Sequence, residues 1–199
     1  MSWMVDRLYE LLGRYVTIPR EEESVYRYGI DLFVYTCLST LGLVLMGCLL
    51  GMTGHTVIII AICYLNQTFG GGSHANTHLK CFLVMVIGLL VGLGVCYLFE
   101  ESRILIGLGI FAGMILIASP VVLHRNKNYL QKNIPKYNRR MRLIVLAELL
   151  FLLMVHQMEW NVIGISISVG LVLSALSRTT ALVLKRVENR KRIDAPKTT

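Results

Sequence analysis

Two imidazoles and a thiol fall within one polar stretch, Gly70-Gly71-Gly72-Ser73-His74-Ala75-Asn76-Thr77-His78-Leu79-Lys80-Cys81. Three chemistries compete for it. An imidazole beside a thiol can take its proton and hold the resulting thiolate as an ion pair, which makes a nucleophile for acyl transfer. The spacing His-x3-His-x2-Cys can instead supply three metal ligands. No other Cys or His has a convincing claim to be the fourth. Lastly, the histidines can simply sit at lipid headgroups in a structural loop. Proton transfer wants donor and acceptor about 3 Å apart. On a continuous helix, His74 and Cys81 share a face but lie about 10.5 Å apart along the axis. A bend would have to bring them together, and Gly70–Gly72 permits one just upstream. His78 and Cys81, at i,i+3, meet on a regular helix without a bend. Local geometry leaves the choice of base open and leans to His78.

The segment is set between long apolar runs. The chain has 199 residues, of which 55% are hydrophobic and only 16% charged. That is too little charge for a soluble domain of this length. The composition predicts an all-α, polytopic membrane protein. The expected spans are roughly Leu32–Met52, His55–Phe69, Cys81–Phe99, Ile104–Leu123, Leu143–His156 and Val162–Leu184. The second has a short apolar core, Val57–Leu65, of a length often seen in re-entrant segments. Ahead of them, Trp3, Leu8, Leu11, Leu12 and Tyr15 fall near one face of a helix that must end before Pro19. This reads as an interfacial amphipathic helix or a packed arm. Met1–Arg27 lacks the apolar core and cleavage site of a signal peptide. Residues 1–187 are expected to form one helical membrane domain, and residues 188–199 a polar cytoplasmic tail.

A formal charge of +8 raises the question of nucleic acid, but no reader module is present and that partner is not expected. The basic residues mark the cytoplasmic side instead. Seven lie between Arg125 and Arg142, six follow Leu184, and Arg7, Arg14, Arg20 and Arg27 precede the first span. Placing all three groups inside requires an even number of crossings before the Arg125–Arg142 loop. The second segment must then span, giving six spans with both termini and the His/Cys segment on the cytoplasmic side of a cell membrane. Four of the five cysteines, Cys37, Cys48, Cys63 and Cys96, lie in apolar runs as small hydrophobes, and no disulfide framework is indicated.

The element Phe69-Gly70-Gly71-Gly72-Ser73-His74-Ala75, with Cys81 seven residues after His74, resembles the signature of the accessory gene regulator protein B (AgrB) family. These are bacterial membrane endopeptidases that process quorum-sensing propeptides. Tyr28-Gly29-Ile30-Asp31 is similar to a second family element, and the likeness in length, span number and basic loop extends over almost the whole chain. The resemblance implies His74 as the catalytic histidine and Cys81 as the nucleophile. It matches Gly71 and Gly72 to a glycine pair and leaves His78 as a surface or substrate-contacting residue. Gln67 stands where the family usually has Arg, and Ser73 where an aromatic is common, so no arginine role carries over at position 67.

The implied activity is a cyclising cysteine endopeptidase. It would cleave the C-terminal tail from a short amphipathic propeptide through an acyl-thioester on Cys81 and promote thiolactone or lactone ring formation. The implied partners are that propeptide, the lipid bilayer and a second copy in a homodimer. No cofactor or metal is expected. Supporting roles fall to Asp31, at the start of the first span, and to Glu148, the only carboxylate well inside a span. Glu148 needs a partner there, by an interhelical hydrogen bond or an arginine. Gln67, Ser73 and Asn76 are candidate oxyanion donors. Gly107, Gly109 and Gly113 suit close helix packing and favour oligomerisation. The alternatives are a non-enzymatic membrane transporter or scaffold, and a His/Cys metal-binding membrane protein.

Overall fold

In a computed structural model, residues 2–14, 19, 22–72, 77–99, 103–122 and 134–194 are described. The described residues form seven helices: α1 (Ser2–Gly13), α2 (Glu23–Leu49), α3 (Thr53–Gly70), α4 (His78–Leu98), α5 (Arg103–Ala118), α6 (Ile134–Gln157) and α7 (Asn161–Asp194). The protein is all-α and polytopic, as the composition predicts. Among the described residues, three helices are long and apolar enough to cross a bilayer: α2, α4 from Leu79 to Leu98, and α7 from Asn161 to Val187. The other three expected spans overlap α3, α5 and α6, but α5 stops at Ala118, ahead of Pro120 and short of the expected Leu123, and α6 starts at Ile134, well before the expected Leu143. Of these, α5 is short and apolar, and α6 begins with the basic run Lys136, Arg139, Arg140 and Arg142.

The chain divides into two compact units, Met1–Met46 and Gly47–Thr199. In the first, Arg27 on α2 pins α1. Its guanidinium donates to Asp6 and to Glu23, and stacks 4.7 Å from the ring centre of Tyr9. Leu8 and Leu12 of α1 face Val25, Tyr26, Gly29, Ile30 and Phe33 of α2 across an apolar groove. Trp3 and Leu11 remain exposed. So α1 is a packed arm that keeps an apolar face outward.

The second unit is built around α7. Residues 164–171 are buried without a break, the pattern of a helix enclosed on every side. The hydroxyls of Ser166, Ser168 and Ser174 donate to carbonyls one turn back, which satisfies them inside an apolar core. The core joins Ile62, Ile106, Leu116, Val145, Leu152, Ile167 and Leu171. By contrast, large apolar side chains such as Val84, Ile87, Ile104, Phe111, Leu150 and Leu176 point outward. A surface of this kind suits lipid.

Side-chain contacts fix the relative directions of α3, α5, α6 and α7. His55, early in α3, meets Ser166, early in α7, while Asn66, late in α3, meets Arg178 further along α7. The same holds for α5, whose Gly109 lies against Ser168 and whose Leu116 meets Arg178. Helices α3, α5 and α7 therefore run parallel. α6 runs opposite, with Met141 at Arg178 and Val155 near Gly164. Consequently the ends of α3 and α5, the start of α6 and the basic final turns of α7 share one end of this unit.

The close approach of α5 to α7 and α6 assigns the small residues of α5. A Cβ on Gly109 would lie 2.6 Å from Ser168, and one on Gly113 2.6 Å from Leu149. Both glycines pack within the chain, while Gly107 has no neighbour within 4 Å. The stripe Gly107, Gly109 and Gly113 is thus largely consumed by internal packing and does not speak for oligomerisation.

Candidate functional site

Cys81 is half-buried in the first turn of α4. Thr77 is the N-cap: its hydroxyl accepts from the Lys80 N–H and its carbonyl from the Cys81 N–H at 3.1 Å. A helix start is dictated here by Thr77 followed by the apolar run Leu79–Leu98. Ser73, His74 and Asn76 lie outside the described residues, and the His78 side chain does too. The flanks of that segment, Gly72 and Thr77, are described.

The glycine run closes α3. Gly71 takes a positive φ of 72° with ψ 171°, and its N–H donates to the Gln67 carbonyl at 3.0 Å, ending the helix in a conformation that favours glycine. A Cβ on Gly71 would strike the Val122 carbonyl. On the other side the Val122 N–H donates to the Gly70 carbonyl at 3.0 Å. At Gly70 a Cβ would run into the Arg178 guanidinium, and at Gly72 it would meet the Ser177 hydroxyl at 2.8 Å. Each glycine lets another segment come against the backbone. The exit of α3 toward residue 74 is fixed by the segment after α5 and by α7.

Directly beneath this turn lies a buried polar cluster. Asn66 donates its amide to both Glu148 oxygens, at 3.1 and 2.8 Å, and to the Ile62 carbonyl. The Asn66 backbone carbonyl accepts from Arg178 at 3.1 Å. Arg178 also donates to the Leu116 carbonyl and to the Met141 sulfur. Asn66 and Arg178 are each 1% exposed, and Glu148 is 7% exposed. Asn66 Oδ1 and Arg178 Nε have no protein partner among the described residues. The interhelical hydrogen bond allowed for Glu148 is present, with Asn66 as its donor. Asn66 and Arg178 escape a reading that concentrates on carboxylates. The available signal was a lone arginine inside the apolar run Val162–Leu184, where an ionisable group is costly and calls for an explanation.

The remaining candidates are placed as follows. Gln67 is half-buried on α3 and contributes its carbonyl to the Gly71 cap. Asp31 is half-buried on α2, in the Met1–Met46 unit. Among the described residues no three His, Cys, Asp or Glu side chains gather as metal ligands. The cysteines are free thiols.

The glycine turn and the capped start of α4 with Cys81 thus flank the motif on either side. Comparison with protein families decides the membership: the model described as Accessory gene regulator B matches residues 5–178. The chain belongs to the AgrB family. That match runs from within α1 to Arg178 in α7, so the buried cluster and the glycine turn both fall within the AgrB region. No curated protein and no solved structure matches the chain.

Proposed function

We propose that this chain is a membrane cysteine endopeptidase that trims a quorum-sensing propeptide and closes it into a ring, with Cys81 as nucleophile and His74 as general base. The observation that carries the reading is the construction around the Gly70–Gly72 turn. Three glycines, each pressed by another segment, deliver the chain to residue 74, and the next helix begins with a capped turn holding Cys81. Membership in the AgrB family supports it.

The reaction runs through two acyl transfers. His74 takes the Cys81 thiol proton, and the sulfur attacks a backbone carbonyl carbon of the propeptide. The C–N bond breaks, the leaving amine accepts the proton from His74, and the acyl group stays on Cys81 as a thioester. A Cys thiol or Ser hydroxyl within the same peptide then attacks that carbonyl. The C–S bond to Cys81 breaks, the ring closes as a thiolactone or lactone, and the thiol is regenerated. Water must be kept from the thioester, which a site at the lipid boundary assists. Gln67, Ser73 and Asn76 are the proposed oxyanion donors, and Asp31 and Glu148 the proposed supporting carboxylates.

The basic end of the second unit is proposed to face the cytoplasm, under the positive-inside rule. Mass spectrometry of a propeptide incubated with the purified protein in lipid tests the reading. Cys81→Ala should abolish both cleavage and ring formation. His74→Ala should slow cleavage by about 10²–10⁴-fold, the usual contribution of a positioned base. His78→Ala should stay within a few-fold of the parent, and chelators should have no effect. Equal loss from all three substitutions, with sensitivity to chelators, would instead establish the metal-site alternative.

A further inference from the structure

We infer that Arg178 is a positioning residue for this chemistry: it ties the ends of α3 and α5 together beneath the glycine turn and so sets the direction in which the chain leaves toward residue 74. The inference rests on the cysteine-protease reading above and deepens it.

Helix ends explain why an arginine is required. The last carbonyls of a helix lack intrahelical donors. In α5 the Leu116 carbonyl would take the N–H of residue 120, but that residue is Pro120, which has none. Arg178 supplies the donor instead, at 3.3 Å. A second nitrogen of the same guanidinium donates to the Asn66 carbonyl in the last turns of α3. Met141 of α6 accepts as well. One rigid fork on α7 thus joins three other helices, a geometry that a lysine cannot reproduce.

The counter-charge is supplied locally. Glu148 of α6 binds the Asn66 side chain, so Asn66 links the carboxylate to the guanidinium through its own amide and carbonyl. At Gly70, side-chain space is taken by Arg178 itself. Removing the guanidinium frees the final turn of α3, which is followed at once by Gly71, Gly72 and the proposed catalytic segment. Arg178 is fully buried and touches no substrate, so its effect must pass through the turn.

The test is a double-mutant cycle in lipid on a background lacking the other cysteines. The rate of Cys81 alkylation by iodoacetamide and the single-turnover rate of peptide cleavage are measured for Arg178→Gln, Arg178→Lys, His74→Ala and the pairs. Displacing a reacting group by about 1 Å costs up to about 100-fold. Arg178→Gln is therefore expected to slow both rates by about 10–100-fold with little change in peptide KM. Combined with His74→Ala it should add little, because both act through one imidazole. Merely structural damage would multiply the two losses. If Arg178→Gln fails to accumulate in membranes, Arg178→Lys, which keeps the charge but not the fork, takes its place with the same expectation. A parent-like rate in the folded Arg178 variant, or full multiplicative loss in the pair, overturns the inference. Parent-like rates in His74→Ala overturn the underlying function instead, so the two failures are distinct.

Discussion

At the scale of single residues, backbone geometry around position 71 is the most demanding feature. Positive φ disfavours any side chain, and the Val122 carbonyl occupies the space where one would project. Gly71→Ala is expected to destabilise the protein by on the order of 1–3 kcal/mol, the range for a residue held in a sparsely populated conformation. It should also lower peptide cleavage by more than the loss of folded protein explains. Gly88→Ala is the control: nothing lies within 4 Å of that position, and helix propensity favours alanine by about 0.5–1 kcal/mol. Thermal unfolding in detergent, alongside cleavage by the folded fraction, separates the two. Gly71 and Gly72 were legible as a turn from glycine repetition alone. Arg178 stood out only as a lone cation in an apolar run, and its pairing with Asn66 was not legible, because it depends on which helices become neighbours.

Among the elements, α7 organises the second unit and dictates how near its neighbours come. Ser168 presents a small side chain where Gly109 of α5 presents none, so the two helices meet almost backbone to backbone. Gly109→Leu should overpack this contact and destabilise the protein by about 1–3 kcal/mol. Gly107→Leu, where a Cβ meets nothing within 4 Å among the described residues, should not lower the unfolding temperature, since helix propensity favours leucine over glycine. Equal effects from both would mean that Gly107 meets a second chain, restoring the case for an oligomer through this face. Helix number and order were readable because apolar runs bounded by Gly, Pro and charge give lengths directly. Contact faces were not, since spans apolar all round have no periodicity to mark the buried side. The arm α1 illustrates the same limit: its apolar stripe was visible, but its pinning by Arg27 through Asp6, Glu23 and Tyr9 depends on partners from two helices. Arg27→Ala should therefore speed limited proteolysis between α1 and α2 without changing the thermal transition of the rest.

At the largest scale, the second unit is arranged with apolar side chains outward and its polar cluster inward, the order expected where the solvent is lipid. Because α3, α5 and α7 run parallel and α6 opposes them, the glycine turn shares an end with Lys136, Arg139, Arg140 and Arg142 and with Lys185, Arg186 and Arg190. The turn between α6 and α7, at residues 158–160, belongs to the opposite end. Parity argued from charge and direction argued from contacts are independent, and within the second unit they agree that the glycine turn, the start of α6 and the end of α7 lie together. The proposed orientation then makes a two-sided prediction for a background lacking Cys37, Cys48, Cys63 and Cys96. A membrane-impermeant maleimide should label Cys81 from the cytoplasmic face only, in inverted vesicles. With Cys81 replaced by Ala and Met158→Cys introduced, the same reagent should label only right-side-out vesicles. Labelling of both positions from one side would contradict the parallel arrangement of the helices, because Met158 and the glycine turn would then share a face. Exchange of the two patterns would keep the fold and invert the protein, leaving Cys81 outside, away from a propeptide made in the cytoplasm, and would defeat the proposed function without touching the family assignment.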